Sequence, residues 1–196
     1  VVSRPTVREA ITALEMMGFV ESRHGGGTYV SSLTNLSSLD PLVSLLEDKS
    51  PLVMKALVEA RMGLESWSAF LAAKNATDEE VIAMRNLCQT MELQSKDGGW
   101  DTDVDARFHV LITKSTHNAL QMHMLNTIYT FFWTGIMFAL SEFFKREGYT
   151  ELLIEQHRAI VDGVAARDPQ RARDAMMAHL QLVEDKMGQL MQDGEF

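Results

Sequence analysis

The sequence is poor in cysteine, proline and glycine: its 196 residues include 1 cysteine, 4 prolines and 12 glycines. The lone Cys88 has no partner in the chain, which excludes a disulfide scaffold and favours a reducing compartment such as the cytoplasm. So few prolines and glycines exclude a collagen-like or low-complexity chain. A hydrophobic fraction of 46% is too high for a disordered one. The length suffices for one good core, or for a core and a small module.

Long hydrophobic runs without polar residues are also missing. The longest run without a charged residue or a histidine, 124–141, contains Asn126, Thr127 and Gly135 and lacks basic flanks on both sides. We interpret it as a buried bundle helix and expect no membrane partner. No secretory signal opens the chain, and residue 1 is Val rather than Met, so we expect the native start to lie upstream.

Negative charge is concentrated outside the N-terminal segment. In residues 1–33 three basic side chains balance three acidic ones: Arg4, Arg8, Arg23 against Glu9, Glu15, Glu21. The whole chain has 18 basic and 27 acidic residues, so the remainder holds 15 and 24 and carries the entire net charge of −9. Only the N-terminal segment can therefore approach a polyanion without strong repulsion, which indicates a two-part organisation.

The segment 3–18 carries the start and stop signals of a helix. Ser3 is a capping residue, Pro5 lies in the first turn and Gly18 ends the pattern. Apolar residues at helical spacing predict a core-facing side made of Val7, Ala10, Ile11, Leu14 and Met17. Arg4 and Arg8 then lie one turn apart on the polar side.

Two strand-like pieces, 19–23 and 28–30, follow this helix and predict a hairpin. His24 and three glycines join them, and glycine permits positive φ and close approach to a ligand. An arginine-bearing helix before a glycine-tipped hairpin is typical of a winged helix, in which the helix enters the major groove of DNA and the wing lies along the backbone. The alternative is that both simply form the edge of a domain.

Residues 31–39 are rich in serine, threonine and asparagine, which predicts a linker. No strand signals follow this segment. Helices are predicted near 41–48, 51–74, 78–95, 102–116, 119–144, 149–166 and 169–192. Helices without strands favour an α-bundle domain.

Three histidines of the bundle fall on or beside apolar helix faces. His157 lies near the middle of an apolar arc about 120° wide, and His179 lies within another. Asp105 and His109, one turn apart, border a third. A buried histidine is usually satisfied by a hydrogen bond, and that alternative stays open. A divalent metal ion would satisfy all four side chains and keep open positions for a ligand.

Two further polar residues are candidate ligand contacts. Arg61 lies at the flank of an apolar arc, from which its guanidinium could bind a carboxylate bidentately. The alternative is a salt bridge to a bundle glutamate such as Glu65 or Glu155. Asn118, near the end of a predicted helix, is a weaker candidate.

The N-terminal segment resembles the recognition helix and wing of GntR-family bacterial transcription regulators. The resemblance rests on the motifs at 2–10, 14–15, 18 and 23–30. In that family the arginines and threonine of the helix and the wing residues contact operator DNA. This implies DNA contacts for Ser3, Arg4, Thr6, Arg8, His24 and Gly25. The family's upstream helices are not in the sequence, so the resemblance implies that 1–33 is the C-terminal part of a winged helix-turn-helix domain.

The remainder resembles the effector-binding helical domain, FCD, of the FadR subgroup. The motifs are those at 57–61, 71–73, 105–109, 115–118, 156–160 and 172–180. In metal-containing members an aspartate, the histidine one turn later and two later histidines hold zinc or a similar ion such as nickel. These positions correspond to Asp105, His109, His157 and His179. Details around 105–109 and 175–180 are similar to members that sense lactate, glycolate or pyruvate.

Together these patterns predict a mainly α protein with a partial winged helix-turn-helix domain at 1–33, a linker at 34–40 and a helical ligand-binding domain at 41–192. We expect a cytoplasmic, homodimeric, DNA-binding transcription regulator, not an enzyme, controlled by a small carboxylate at a divalent metal site. One rival is a metal-dependent hydrolase using three histidines and one aspartate, although no further general base is evident beside them. A second is a purely structural bundle without a metal.

Overall fold

The computed structural model describes residues 3–16, 20–23, 25–30, 51–96, 101–132 and 149–192. The chain divides into two compact units, Val1–Glu47 and Asp48–Phe196. The predictions for His24, the linker 34–40 and the helix at 41–48 lie outside the described residues.

The first unit contains helix α1 (Arg4–Met16) and an antiparallel hairpin of β1 (Val20–Arg23) and β2 (Gly27–Val30). Ser3 caps α1 as predicted, since the backbone N of Thr6 lies 3.4 Å from its Oγ. In the hairpin Val20 pairs with Val30. Gly25 and Gly27 have φ of 76° and 97°, a region that glycine adopts at low cost, which explains the glycines at this turn.

The apolar side of α1 differs from the prediction. Val7 and Leu14 are 47% and 40% exposed, Ala10 is exposed and Ile11 is only half-buried. The described part of this unit offers α1 little more than a two-stranded hairpin to pack against, which is too small to cover a whole helix face. The fifth residue of the predicted face, Met17, lies outside the described residues.

The second unit is all-helical over its described residues, as predicted. Its helices are α2 (Pro51–Asn75), α3 (Asp78–Lys96), α4 (Thr102–Lys114), α5 (Ala119–Phe132), α6 (Tyr149–Ala165) and α7 (Pro169–Gln192). In the ranges that the structure describes, no helix has the length and apolar character needed to cross a membrane.

Polar side chains set where these helices begin. Thr77 and Glu80 form a capping box at α3: Thr77 Oγ1 accepts from the backbone N of Glu80 at 3.2 Å, and Glu80 Oε2 accepts from that of Thr77 at 2.9 Å. Asp101 caps α4 and Asp168 caps α7 through side-chain oxygens that accept backbone N–H groups. The helix starts are therefore fixed by local chemistry that is readable in the sequence.

Helix α7 packs against α2 and α6, while α4 contacts α2, α3 and α5. At the α6–α7 contact Gly163 lets the two backbones approach closely: a Cβ built there would lie 2.6 Å from the backbone N of Ala172. The largest fully buried side chains are Phe108, Met84, Met91, Ile112, Leu125, Leu153, Ile160, Met176, Leu180 and Met187. Polar side chains from α2, α4, α6 and α7 meet within this core.

Candidate metal centre

Three histidines from three helices converge in the core of the bundle. His109 on α4, His157 on α6 and His179 on α7 are 1%, 0% and 2% exposed. One ring nitrogen from each forms a set whose atoms all lie within 4.8 Å of one another. The ring centroids of His157 and His179 are 4.4 Å apart. Such a group could hold a metal ion. The prediction from helical periodicity that all three histidines lie at or beside the core is confirmed.

Asp105 joins this group beside His157. Its Oδ1 lies 3.1 Å from Nε2 of His157, and the side chain is 15% exposed. Burial opposes ionisation of the carboxyl, but the contact with His157 and the positive charge nearby outweigh it, so the pKa of Asp105 lies below its usual range. Two ligand atoms bound at about 2.1 Å to one ion lie roughly 3.0–3.4 Å apart, which matches this separation. Coordination by Asp105 stays a prediction.

An oxygen atom lies close to the Nδ1 atom of each histidine ring. Nδ1 of His157 is 2.7 Å from the carbonyl oxygen of Leu153, and Nδ1 of His179 is 3.2 Å from Oε1 of Gln156. Nδ1 of His109 is 2.6 Å from Oε2 of Glu65, although this contact is not aligned as a hydrogen bond. In His157 and His179 an acceptor at Nδ1 favours the tautomer that carries its hydrogen there, so Nε2 is the atom that could bind a metal.

The residues present fit a divalent ion. Nε2 of His109 is fully buried and has no hydrogen-bond partner among the described residues, a costly arrangement that a bound cation would relieve. The pKa of His179 lies well below its ordinary value. Burial is the largest cause, and the neighbouring His157, His109 and Arg61 add to it. A neutral imidazole is the form that binds a metal. Imidazole nitrogens with one carboxylate are donors suited to zinc and related transition metals.

Arg61 forms a buried ion pair beside the histidines. Its Nε lies 2.5 Å from Oε1 of Glu65, and its Nη2 donates to the hydroxyl of Tyr129 at 2.9 Å. Arg61 and Glu65 are 4% and 1% exposed. Glu65 and Glu155 were the two candidate salt-bridge partners of Arg61, and in the structure the partner is Glu65. Burial opposes the cation, but Glu65 and Tyr129 hold the pKa of Arg61 above its ordinary value.

Sequence reasoning missed the position of Glu65 next to His109. A further carboxylate therefore lies beside the candidate ligands, and its pKa decides how well it could serve as a general base. Burial raises the pKa of Glu65, but Arg61 and His109 lower it more, to about 2. A carboxylate with so low a pKa is a weak general base at neutral pH, so it does not favour the hydrolase alternative. The available signal was the spacing of four residues from Arg61, which puts both side chains on one face of α2.

Asn118 occupies the start of α5 and is exposed. Its Oδ1 accepts from the backbone N of Leu120 at 3.0 Å and of Gln121 at 3.3 Å. This is a helix-capping role, and its predicted ligand contact stays a prediction.

The predicted DNA-contacting residues belong to the first unit. Ser3, Arg4, Thr6 and Arg8 are exposed along the start of α1, and Gly25 is exposed in the hairpin turn. Oγ of Ser3 lies 2.8 Å from Oγ1 of Thr6, so the two hydroxyls contact each other as well as facing solvent. His24 lies outside the described residues. The positions leave these side chains accessible, and their DNA contacts stay predictions.

Two family models match the chain. Residues 1–30 match the model described as bacterial regulatory proteins, gntR family. Residues 56–182 match the FCD domain, a stretch that includes α3 to α6 and all four candidate metal ligands.

Curated relatives match over nearly the whole chain. A proposed L-lactate dehydrogenase operon regulatory protein of Escherichia coli is 31% identical over 198 residues, covering 98% of this chain and 75% of the relative. The HTH-type transcriptional regulator LutR of Bacillus subtilis is 32% identical over 185 residues, covering 94% of this chain and 84% of the relative.

Solved structures show the same architecture. A GntR protein of Streptococcus agalactiae superposes with a TM-score of 0.68 at 28% identity, covering 94% of this chain and 83% of the other. McbR/YncC of E. coli superposes with a TM-score of 0.64 at 15% identity, covering 97% and 82%, and supports the fold alone.

Proposed function

Since the chain belongs to the gntR family of DNA-binding transcription regulators and carries an FCD domain, we propose that a small carboxylate metabolite, bound at a divalent metal ion in the helical domain, controls its binding to operator DNA. The observation that carries this proposal is the buried histidine cluster beside Arg61. The family and its relatives are transcription regulators rather than enzymes, so the hydrolase alternative has no support.

The metal ligands in this proposal are His109, His157 and His179, together with Asp105. The buried Nε2 of His109 and the oxygen contacts at all three Nδ1 atoms support it. We favour zinc, with nickel or another transition metal as alternatives. Once bound, the ion supplies positive charge and coordination positions that the protein leaves open to a ligand.

The proposed effector is a small carboxylate, with lactate, glycolate and pyruvate as candidates. A carboxylate would bind to the ion and to the guanidinium of Arg61, whose planar donors suit a bidentate contact. The name of the E. coli relative refers to an L-lactate dehydrogenase operon, which favours lactate. Asn118 is a secondary candidate contact.

The proposed DNA-reading residues are Ser3, Arg4, Thr6, Arg8, His24 and Gly25, in a homodimer that presents residues 1–33 of each subunit to a near-palindromic operator. Effector binding would change the packing of domain 41–192 and, through the linker 34–40, the spacing of the two heads. Such control requires different effector affinities in the two states, and a coupling of about 1–3 kcal/mol is typical.

Elemental analysis and a thermal-shift screen together test the metal and effector parts of this proposal. The purified protein should contain a divalent transition metal, and lactate, glycolate or pyruvate should raise its melting temperature. Stripping the metal with a chelator should abolish this rise. A metal-free protein that responds to no acid even after zinc addition contradicts the proposal.

DNA binding is tested separately. An operator selected from a random DNA pool should bind with an affinity that the stabilising acid changes by about 5–150-fold, the range of typical allosteric coupling. An unchanged affinity would separate effector binding from regulation and contradict the proposed control.

A further inference from the structure

The Arg61–Glu65 ion pair lies beside the candidate metal centre, and Glu65 cancels a positive charge that Arg61 would otherwise add to it. The pair lies in the core, with Nε of Arg61 2.5 Å from Oε1 of Glu65, and Oε2 of the same carboxylate 2.6 Å from Nδ1 of His109. Glu65 therefore connects the arginine to a candidate ligand histidine. Its negative charge cancels that of Arg61, so the pair is neutral as a whole.

The charge of the loaded centre follows from these residues, on the premise that the proposed metal site is correct. The divalent ion would contribute two positive charges, Asp105 one negative charge and the neutral histidine ligands none. Their sum is one positive charge. Because Arg61 and Glu65 cancel, the centre keeps a single positive charge. An uncompensated charge is costly in a buried site, and adding one carboxylate removes it, whereas adding two leaves a net negative charge.

We propose that Glu65 is the specificity-determining residue that restricts this centre to singly charged carboxylates. With Glu65 in place, a monocarboxylate such as glycolate makes the centre neutral. Without its charge, the centre would be doubly positive and would favour a dicarboxylate. The ligand needs no direct contact with Glu65, because the charge of Glu65 acts on the centre through the two residues that it touches, Arg61 and His109.

Glycolate and tartronate are matched probes, since tartronate is glycolate with one additional carboxylate. Isothermal titration of the zinc-loaded full chain should give tighter binding of glycolate than of tartronate. In Glu65→Gln the ratio of the two affinities should shift toward tartronate by about tenfold or more. Zinc content and circular dichroism are measured for every variant, so a change in ratio is not confused with loss of metal or fold.

Two controls distinguish charge from shape. Glu59→Gln removes an equal charge from the same helix at a residue whose side chain is 57% exposed, and the ratio should not change. The double variant Arg61→Gln/Glu65→Gln restores the original net charge without the ion pair. Its affinities should fall because Arg61 is a proposed contact, but its preference for glycolate should return.

The outcomes separate this inference from the proposed function. If zinc-loaded wild-type protein binds neither acid, the proposed function itself is contradicted. If it binds glycolate and Glu65→Gln keeps the wild-type ratio, only the role of Glu65 is contradicted. Should Glu65→Gln lose its fold or its zinc, the wild-type ratio decides, because tighter binding of tartronate than of glycolate overturns the inference.

Discussion

A different kind of oxygen atom lies beside Nδ1 of each histidine of the cluster. His157 contacts a backbone carbonyl of its own helix, His179 contacts Gln156 on the neighbouring helix α6, and His109 contacts Glu65 on α2. In each ring an oxygen lies beside Nδ1, and one nitrogen of each ring belongs to a set whose atoms all lie within 4.8 Å of one another. A set of buried histidines satisfied only by hydrogen bonds has no need for this arrangement, whereas a metal site does.

Replacing His179 with alanine should weaken zinc binding. We expect a loss greater than the roughly 10–100-fold that removal of an outer hydrogen-bond partner costs, because a proposed ligand itself is removed. Zinc should also raise the melting temperature of this variant less than that of the wild type. Competition with a chromophoric chelator measures the affinity.

The matched control for this test is His117→Ala. His117 lies in the loop after α4, and its side chain is 51% exposed. Its Nε2 lies 3.1 Å from Oε2 of Glu80 on α3. The zinc affinity of the His117→Ala variant should equal that of the wild type. Full zinc affinity in His179→Ala would remove His179 from the site.

Cys88 gives a probe of local packing because it is the chain's one cysteine. Its side chain is 6% exposed, and burial raises the pKa of the thiol to about 12, although Arg158 and Arg85 oppose this rise. Since the thiolate is the reactive form, Ellman's reagent at pH 8 should label the folded protein about 100-fold or more slowly than the protein in denaturant. Similar rates in both conditions would show that the packing around Cys88 on α3 opens readily.

Helix α2 shows what periodicity in a single helix leaves undetermined. Its inward placement of Arg61 was predictable, because the residue flanks an apolar arc, and so was a partner four residues away. Contact between Glu65 and His109 was not, since it depends on how α2 lies against α4. The same reasoning applies to His157 and His179, whose burial was predictable within each helix while their separation was not. Burial is a property of one helix face, whereas a site requires relative positions of several helices.

Substituting Gly163 with alanine should separate α6 from α7. The new Cβ would lie 2.6 Å from the backbone N and 2.7 Å from Cα of Ala172, and these are backbone atoms that cannot rotate away. Overpacking of this kind costs about 1–3 kcal/mol and occasionally more. Urea denaturation followed by circular dichroism should show the lower free energy of unfolding.

The control is Gly63→Ala in α2. Gly63 is exposed within its helix, and a Cβ there meets no atom within 4 Å. Alanine should stabilise the helix by about 0.5–1 kcal/mol because it is the better helix former. If both substitutions stabilise the protein equally, the close α6–α7 approach is not present in solution.

At the scale of the whole molecule, sequence patterns predicted the architecture better than the packing. The described helices of the second unit begin within one residue of their predicted starts, because caps and breaks such as Thr77, Asp101 and Asp168 are local signals. The first unit shows the limit: Val7 and Leu14 were predicted to face a core and are about half exposed. Amphipathicity predicts that a face prefers burial, but the residues that cover it must come from elsewhere.

The distribution of charge predicts how DNA binding depends on salt. The net charge of −9 resides outside residues 1–33, so on the proposed DNA-binding surface we expect attraction to DNA to depend on a few arginines at the start of α1 and in the hairpin. Arg8→Ala should weaken binding to the selected operator and reduce the slope of log K against log salt by about 1, because one phosphate contact is lost. Fluorescence anisotropy at several salt concentrations measures both.

Arg173→Ala removes the same charge from an exposed position on α7 in the second unit. If long-range net charge governed binding, this variant would weaken it as much as Arg8→Ala does. If direct phosphate contact governs it, the slope should stay at the wild-type value, because Arg173 is not one of the proposed phosphate contacts. A reduced slope in Arg173→Ala alone would place the DNA-binding surface on the helical unit and contradict the proposed role of α1.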